Sequence, residues 1–291
     1  MKDTFFSSNL KLNIKGILRE FSHPLIMGIL NTTPDSFYAG SRVNALDDIL
    51  ERAGQMIQEG ADILDIGGYS SRPGAGEVSD AEEIKRTAAA IEAIKSSYPE
   101  ILISIDTFRA NVAEKAVLAG ADIINDISGG QLDPTIYSIA AKYNCPYILM
   151  HMRGGVTEMM NNTNYANLIQ DLTSYFSERI EVAQSAGVKD LIIDPGFGFS
   201  KTLEQNFQLL AQIDLLHLLE KPMLIGVSRK SMIYKTLENT PEESLNGTTV
   251  LNTIALEKGA KILRVHDVKP AKEAVILIEK LRTCSLRKRE N

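Results

Sequence analysis

Short apolar segments recur eight times along the chain, and most of them carry a charged or amide residue at or near their carboxyl end. They span Leu25–Asn31, Ile63–Gly68, Ile101–Thr107, Ile123–Ser128, Tyr147–Met152, Leu191–Gly196, Met223–Ser228 and Ile262–Asp267. Amphipathic helical patterns fill most of the gaps, and strands that alternate with helices are typical of βαβ units in a parallel sheet. Eight such units predict a closed α/β barrel of the (β/α)8, or TIM, type, whose functional groups lie at the carboxyl ends of the strands.

The rhythm of strands and helices runs from residue 25 to residue 282 without a Pro/Gly/Ser-rich linker. We therefore predict a single domain over residues 1–291, with its barrel core at about 24–282. Residues 10–21 alternate apolar and polar positions around Gly16, which predicts a short N-terminal hairpin. Such a hairpin could close the N-terminal end of the barrel.

Capping residues predict where several helices begin and end. Ser79 with Glu82 has the pattern of a capping box, and Asp133 before Pro134 is typical of an N-cap followed by proline at the first helical position. Glycines that can stop a helix stand at a similar distance before later strands: Gly60, Gly120, Gly187 and Gly259.

Composition narrows the class of protein. A net charge of −6 argues against nucleic acid and anionic membranes as partners. Nowhere do 18 apolar residues run together, and the N-terminus has no apolar run of signal-peptide length, so we expect no membrane association. Cys145 and Cys284 lack metal-ligand spacing and favour a reducing compartment, which predicts a cytoplasmic protein.

Three loops that follow strands are longer than packing requires. They span residues 32–44, 69–79 and 153–164. All three fall on the predicted catalytic face, where long loops commonly bind substrate, so we expect them to border the active site.

Basic residues follow the last two predicted strands. Lys230 lies after the seventh strand, and Arg264 and His266 fall on one face of the eighth, because side chains alternate along a strand. Barrels of this type often bind phosphate here, partly through a helix N-terminus. Two or three cations beside such a helix would suit a polyphosphate group. Alternatively, the cations pair with acids of the protein, the interpretation we favour for Arg229.

Acidic and amide side chains lie at the ends of three other strands. Asp106, Asn125 and Asp194 would stand inside the barrel mouth, where a carboxylate needs hydrogen-bond donors. A ring with several N–H groups, such as an aminopyrimidinone, would supply them, and Asn125 can both donate and accept. Alternatively, these residues form a structural network with Lys230 and Arg264.

Asn31 and Asp35, near the end of the first strand, could together bind Mg2+ beside a phosphate, because hard oxygen atoms are its ligands. Pro34 before Asp35 is equally typical of a turn. His151 has no metal-ligand partner at helical spacing and is as consistent with a buried core histidine as with a ligand contact. The residues by themselves predict a barrel enzyme that joins a donor-rich ring to a phosphorylated group with Mg2+.

Taken together, the sequence motifs resemble those of dihydropteroate synthases, in order and through all eight strands. The matching strings are Gly28–Phe37, Ser70–Ala75, Ser104–Thr107, Asn125–Ile127, Leu149–Met152, Asp194–Phe199, Ser228–Ser231 and Arg264–Asp267. The resemblance implies a transferase of folate biosynthesis that condenses 6-hydroxymethyl-7,8-dihydropterin pyrophosphate with p-aminobenzoate, giving 7,8-dihydropteroate and pyrophosphate. It also implies Mg2+ as a cofactor and a homodimer.

The same resemblance assigns residues to each part of the reaction. It carries pterin binding over to Asp106, Asn125, Met150, Asp194, Gly226 and Lys230. It carries pyrophosphate binding over to Asn31, Ser71, Arg264 and His266, and Mg2+ binding to Asn31 and Asp35. It carries p-aminobenzoate binding over to Phe37, Arg72, Pro73, Phe199 and Ser231. The catalytic groups by this likeness are Asp35, Arg72, Asp106 and Lys230. The implied step is SN1-like: Asp106 would stabilise the cation that forms when pyrophosphate departs.

The chain departs from the usual family pattern at four positions: Thr32 for valine, Tyr69 for glutamate, Ser71 for threonine and Ser200 for glycine. Tyr69 removes a carboxylate from a substrate loop. Competing interpretations are a methyltetrahydrofolate–corrinoid methyltransferase, an inactive pterin-binding paralogue and, more weakly, a Schiff-base aldolase that uses Lys230. The methyltransferase would have no use for the metal loop or the basic pair of the eighth strand.

Overall fold

The computed structural model of the chain describes residues 9–32, 42–69, 78–155 and 162–287. The predicted hairpin is confirmed as two antiparallel strands, β1 (Leu10–Ile14) and β2 (Ile17–Phe21). Lys15 and Gly16 form the two-residue turn between them, with φ values of 51° and 88°. Positive φ at both central residues is typical of a tight hairpin turn, whose twist matches that of the strands.

Eight parallel strands form the second sheet of the described chain. They are β3 (Leu25–Asn31), β4 (Ile63–Gly67), β5 (Leu102–Asp106), β6 (Ile123–Asp126), β7 (Tyr147–Met150), β8 (Leu191–Asp194), β9 (Leu224–Ile225) and β10 (Ile262–Val265). Their order in the sheet is β8-β7-β6-β5-β4-β3-β10-β9. A parallel bridge between Ile193 of β8 and Met223, just before β9, closes the sheet into the predicted barrel.

All eight apolar segments therefore form strands, but seven of them end earlier than predicted. The residues that follow, such as Thr107 after β5 and His266 after β10, leave the ladder and form the rim of the barrel. β9 is reduced to two residues. The hydrophobic pattern extends into this rim because residues such as Met152 remain buried there.

Helices follow each strand of the barrel. They are α1 (Arg42–Glu59), α2 (Asp80–Ser97), α3 (Ala110–Ala119), α4 (Ile136–Tyr143), α5 (Leu168–Ser185), α6 (Leu203–Gln212), α7 (Ser231–Tyr234), α8 (Leu245–Glu257) and α9 (Val268–Arg287), with a 3-10 helix over Ile213–Leu219. The predicted stop glycines all adopt positive φ: Gly60, Gly120, Gly187 and Gly259.

Of the two predicted helix starts, one is confirmed. Ser79 is the N-cap of α2, and its side chain accepts a hydrogen bond from the Glu82 backbone N–H. The prediction for Asp133 is wrong, since α4 begins two residues later, after Thr135. The Asp133 carboxylate instead accepts the backbone N–H of Ala110, the first residue of the neighbouring helix α3, at 2.8 Å.

Two layers of apolar residues surround the sheet. The larger one fills the space between the strands and the helices. The smaller one lies inside the N-terminal end of the barrel, where Leu10, Leu12 and Ile14 of β1 pack against barrel residues such as Leu25 and Ile262. The hairpin thus closes this end, and the acidic, amide and basic side chains predicted to form the site lie at the opposite end. Among the helices of the described segments, none combines the length and apolar character needed to cross a bilayer.

Candidate active site

Four polar side chains from four strands meet at the carboxyl end of the barrel. Arg264 of β10 donates from Nε to Oδ2 of Asp65 on β4 and from Nη2 to Oδ2 of Asp106 on β5, each at 2.6 Å. Asn125 of β6 donates to the same Oδ2 of Asp65 at 3.1 Å. The structure therefore brings together three predicted site residues: Arg264, Asp106 and Asn125. They form the structural network considered above, and Asp65 links Arg264 to Asn125.

The charges of this network perturb one another. The pKa of Asp106 is raised to about 7, chiefly by burial; Arg264 opposes the shift and the nearby Asp65 contributes to it. Burial would lower the pKa of Arg264, but Asp65 and Asp106 raise it above its ordinary value. The guanidinium is therefore permanently charged, and its charge keeps two neighbouring carboxylates close together.

Asp65 is a functional candidate that the sequence analysis did not assign a role. It is fully buried, and its Oδ1 atom has no hydrogen-bond partner among the described residues. The signal was present in the sequence, because an aspartate in the middle of the buried strand Ile63–Gly67 must find a donor. Its partners, Asn125 and Arg264, became visible only in three dimensions.

Asp194 and Lys230 form the opposite side of the site. Asp194 ends β8, is buried, and accepts the Gly196 backbone N–H through Oδ1 at 2.8 Å. Lys230 follows β9, donates through Nζ to the Phe197 carbonyl, and lies with Nζ 4.8 Å from the centre of the Phe199 ring. The two side chains are coupled: burial raises the pKa of Asp194 and Lys230 opposes that shift.

Lys230 has a perturbed pKa of its own. Burial lowers it to about 8, with Asp194 opposing the shift and Arg264 adding to it. A lysine in this condition is charged at neutral pH but close to releasing its proton. Gly226 lies beside it, since a Cβ added there would be 3.9 Å from Lys230 Nζ and 3.8 Å from Arg264 Cβ. The glycine thus leaves space between the two cations.

An apolar wall lies next to these charges. Met150, Met152 and Ile127 form a small buried cluster, against which Phe108 and Phe199 pack. Met150 was predicted to contact pterin and Phe199 to contact p-aminobenzoate, so the structure places these two predicted residues in one apolar cluster. A flat ring could be held between such a wall and the polar groups of the opposite side.

The rim near β10 differs from the prediction in two respects. Burial lowers the pKa of His266 to about 4, and Arg264 adds to that shift, so His266 is neutral at pH 7 and not one of the expected cations. Its Nδ1 lies 3.1 Å from Ser228 Oγ. The helix start predicted after the seventh strand is present at Ser231, but that helix, α7, has only four residues, so its dipole is weak.

Arg229 behaves as predicted. It makes two hydrogen bonds of 2.8 Å to the Asp267 carboxylate and two of 2.9 Å to the carbonyls of Pro241 and Glu242. The backbone of Arg229 is left-handed, with φ of 54°. Its role within the described structure is to tie the β9–α8 connection to the end of β10.

The predicted metal loop is only partly described. Asn31 ends β3 and its side chain is exposed at the mouth. Within the described ranges, no group of three or more histidine, cysteine or acidic residues could hold a metal ion by itself. The remaining predicted site residues lie outside the described residues: Asp35, Phe37, Ser71, Arg72 and Pro73.

His151, which the sequence left open as either a buried core histidine or a ligand contact, is buried. It is 1% exposed, and its Nδ1 lies 3.1 Å from Nζ of Lys201, itself 2% exposed. Burial lowers the pKa of His151 to about 2, with Lys201 contributing. The sequence analysis did not single out Lys201, which follows the glycine-rich string Asp194–Phe199 with no pattern that marks it as buried.

The barrel and the acid–amide–cation site define a class of protein. A model of the family described as "Pterin binding enzyme" matches residues 27–266, which places the chain among the pterin-binding enzymes.

Among its relatives, a dihydropteroate synthase from Synechocystis is 48% identical over 246 residues, covering 84% of this chain and 85% of the relative. The Escherichia coli dihydropteroate synthase is 42% identical over 272 residues, covering 93% and 96%. The chain belongs to the dihydropteroate synthase family, and it is a transferase.

Solved structures of this family share the fold. Yersinia pestis dihydropteroate synthase, in complex with a sulfonamide drug, superposes with a TM-score of 0.87 at 42% identity, over 94% of this chain and all of that chain (100%). Xanthomonas albilineans dihydropteroate synthase with 4-aminobenzoic acid gives a TM-score of 0.86 at 35% identity, over 94% and 99%.

Proposed function

We propose that this protein condenses 6-hydroxymethyl-7,8-dihydropterin pyrophosphate with p-aminobenzoate in the presence of Mg2+, releasing pyrophosphate and 7,8-dihydropteroate. The observation that carries the proposal is the set of carboxylates, amide and cations gathered at one end of the barrel: Asp106, Asn125, Asp194, Lys230 and Arg264. Acceptors suit the N–H groups of the pterin, and cations suit its pyrophosphate.

The pterin ring would lie between the acidic groups and the apolar wall. Asp194 is buried in the mouth, and the side chain of Asp106 is 24% exposed there. An ionised carboxylate has about four acceptor positions, more than the contacts seen here use. Asn125 adds one donor and one acceptor to the same surface. Met150 would cover one face of the ring through dispersion contacts.

The chemistry follows from where the charges stand. The C–O bond to pyrophosphate would break first, and the positive charge left on the exocyclic carbon would be shared with the electron-rich dihydropterin ring. Asp106 would stabilise this cation, since a fixed negative charge in a site of low dielectric acts strongly. The amine of p-aminobenzoate would then form the C–N bond and release its proton. No strong general base is needed for an attack on a cation.

Pyrophosphate would be held at the β3–β10 side of the mouth. Arg264 carries a permanent charge there, and neutral His266 can donate one N–H. Asn31 would hold Mg2+ with Asp35, and the exposed amide of Asn31 fits an ion that keeps few protein ligands and binds substrate phosphate. When bound, Mg2+ would neutralise charge on the departing pyrophosphate.

p-Aminobenzoate would enter beside Phe199 and Ser231. The Phe199 ring is half-buried and lies next to Lys230. Lys230 lies between this ring and the residues proposed to bind pterin, which is where the two substrates would meet. The Xanthomonas albilineans relative binds 4-aminobenzoic acid, which supports this choice of second substrate. Phe37, Arg72 and Pro73 would complete the pocket.

We further propose a cytoplasmic homodimer. The adjacent helices α8 and α9 leave large apolar side chains exposed, including Val250 at 49%, Leu277 at 65% and Leu281 at 61%. An apolar face of this kind favours association. Light scattering of the purified protein should give twice the chain mass of 32.0 kDa.

The function is tested by following pyrophosphate release in the purified protein. Release should require both the pterin pyrophosphate and p-aminobenzoate, should stop when Mg2+ is chelated, and should match the dihydropteroate formed. Release that is independent of p-aminobenzoate, or no release at all, would overturn the proposal. Transfer of a methyl group to a corrinoid protein would identify the competing activity.

A further inference from the structure

Lys201 is a buried lysine that the proposed reaction does not use. Its side chain is 2% exposed. Nζ lies 3.0 Å from the Gly196 carbonyl, 3.1 Å from the Phe199 carbonyl and 3.1 Å from Nδ1 of His151. A lysine ammonium has three N–H donors, so these three acceptors match its donors one to one.

Two of these bonds are made to one loop. Lys201 comes directly after the segment 195–200 that follows β8, and it donates to carbonyls near the beginning and the end of that segment. The third partner, His151, comes directly after β7, so the same ammonium attaches the loop to the neighbouring strand. The two backbones are in close contact, since a Cβ added to Gly196 would lie 2.2 Å from the His151 carbonyl oxygen.

The same loop carries two groups into the active site. The Phe197 carbonyl accepts the hydrogen bond from Lys230 Nζ, and the Phe199 ring lies 4.8 Å from that atom. One carbonyl that Lys201 binds belongs to Phe199 itself. Lys201 therefore holds the backbone from which the Phe199 ring projects.

The hydrogen bonds do not depend on the charge of Lys201. Burial lowers its pKa to about 7, with Asp194 opposing the shift. A neutral amine would still donate to both carbonyls and could accept from Nδ1–H of the other His151 tautomer. What Lys201 supplies to the loop is therefore a set of donors at fixed positions, and an uncharged donor of similar length should replace it in part.

We propose that Lys201 is a positioning residue for the p-aminobenzoate subsite: it fixes the 195–200 loop so that the Phe199 ring receives the second substrate. The inference rests on the proposed function, because it assigns Phe199 to that substrate. The effect should be stronger on p-aminobenzoate than on pterin. The Asp194 backbone belongs to β8, and one loop N–H, that of Gly196, binds its carboxylate, whereas Phe199 lies wholly within the loop and its carbonyl is bound by Lys201.

The test compares four proteins: wild type, Lys201→Met, Lys201→Gln and Lys95→Met. Lys95 is a matched control, because it donates to the Ile101 carbonyl and to Asp122 at the opposite, N-terminal end of the barrel. Steady-state kinetics at saturating pterin pyrophosphate give kcat and KM for p-aminobenzoate, and calorimetry gives the Kd for pterin. Unfolding in urea measures the stability of each variant.

We expect Lys201→Met to raise KM for p-aminobenzoate about tenfold or more, and to change the pterin Kd by less than about threefold. Lys201→Gln should fall between Met and wild type, because its amide keeps two donors. Lys95→Met should leave KM unchanged. A purely structural role predicts a different result, since a loss of folded enzyme lowers kcat and leaves KM unaltered.

An unchanged KM in a folded Lys201→Met protein would overturn the inference, and so would equal losses for pterin and p-aminobenzoate. If Lys201→Met does not fold, Lys201→Gln decides: a raised KM supports the inference and a wild-type KM overturns it. A wild-type protein that forms no dihydropteroate would instead refute the proposed function, which keeps the two failures distinct.

Discussion

Arg264 and Asp106 are joined across the barrel mouth by 2.6 Å between Nη2 and Oδ2. One was predicted to bind pyrophosphate and the other to bind pterin, so a single ion pair connects the two halves of the first substrate's site. In the proposed reaction, the bond between these two halves of the substrate is the one that breaks. Arg264 can therefore affect the leaving group and the cation-stabilising carboxylate together.

Replacing Arg264 should damage both stability and activity. Arg264→Met leaves Asp65 and Asp106 without their common partner. Removing one member of a fully buried ion pair typically costs about 3–5 kcal/mol, which is an upper bound here because the Arg264 and Asp106 side chains are 22% and 24% exposed. Pyrophosphate release should fall at least about a hundredfold, because two substrate contacts are affected. Urea unfolding and the release assay measure these effects.

Arg229→Met is the matched control, since Arg229 also binds a carboxylate with two bonds but its partner is Asp267 instead of the acids of the mouth. It should retain most of the activity. A fully active Arg264→Met protein, or a loss as large in Arg229→Met, would contradict the assignment of Arg264 to the site.

Asp194→Ala should remove pterin binding and leave the fold largely intact. The Asp194 carboxylate lies at the rim, where its one backbone contact is to Gly196 of its own loop. Losing a charged hydrogen bond to a ligand costs about 1.5–3 kcal/mol, which weakens the Kd by about 10- to 150-fold. Calorimetry with pterin and circular dichroism test the two parts.

A control comes from the residue just before the same strand. Asp190 precedes β8 at the closed end of the barrel, and its carboxylate accepts the Asn13 backbone N–H at 3.2 Å. Asp190→Ala should bind pterin as the wild type does. Unchanged pterin affinity in folded Asp194→Ala would remove Asp194 from the pterin site.

The pH profile of kcat/KM for the pterin substrate should be bell-shaped. Asp106, with its pKa raised to about 7, must be ionised to stabilise a cation, so activity should fall as the pH drops below that value. Lys230, with its pKa lowered to about 8, loses its charge above that value, so activity should also fall on the alkaline side. The profile of kcat/KM reports groups of the free enzyme, which is the state described here.

The alkaline limb has its own check in Lys230→Arg. Arginine stays charged throughout this range, so the limb near pH 8 should move upwards while the acid limb stays in place. A rate that is flat from about pH 6 to pH 9 in the wild type would show that neither group controls the reaction.

Gly196→Ala should be strongly destabilising. Gly196 has φ of +70°, and an added Cβ would lie 2.2 Å from a backbone oxygen of His151, which cannot rotate away. We expect a loss of at least about 2–3 kcal/mol in the free energy of unfolding.

Gly155→Ala is the natural comparison for that substitution. No atom of the described residues lies within 4 Å of a Cβ added at Gly155, so the stability of this variant should change by less than about 1 kcal/mol. Equal stabilities of the two variants would show that the 195–200 loop can move away from the end of β7.

The fold was predictable because its signals are local. Apolar runs, stop glycines and the alternation around Gly16 each depend on neighbours within a few residues, and the strands and the hairpin form where these patterns predict them. Asp133 shows where local reasoning fails, since its carboxylate binds Ala110 of another helix. The sequence also identified Asp106, Asn125, Asp194 and Lys230 as site candidates, because polar residues at the ends of apolar strands stand out.

The pairing and the charge of these groups were decided by the tertiary structure. Arg264 is 199 residues from Asp65 along the chain and 158 from Asp106, and no local pattern encodes such contacts. The neutral state of His266 and the shifted pKa values of Asp106 and Lys230 arise first from burial, which depends on the closed barrel. Lys201 is the clearest case. A lysine in a sequence is expected to be a solvated cation, and only the packing of two loops makes Lys201 a buried donor that holds them together.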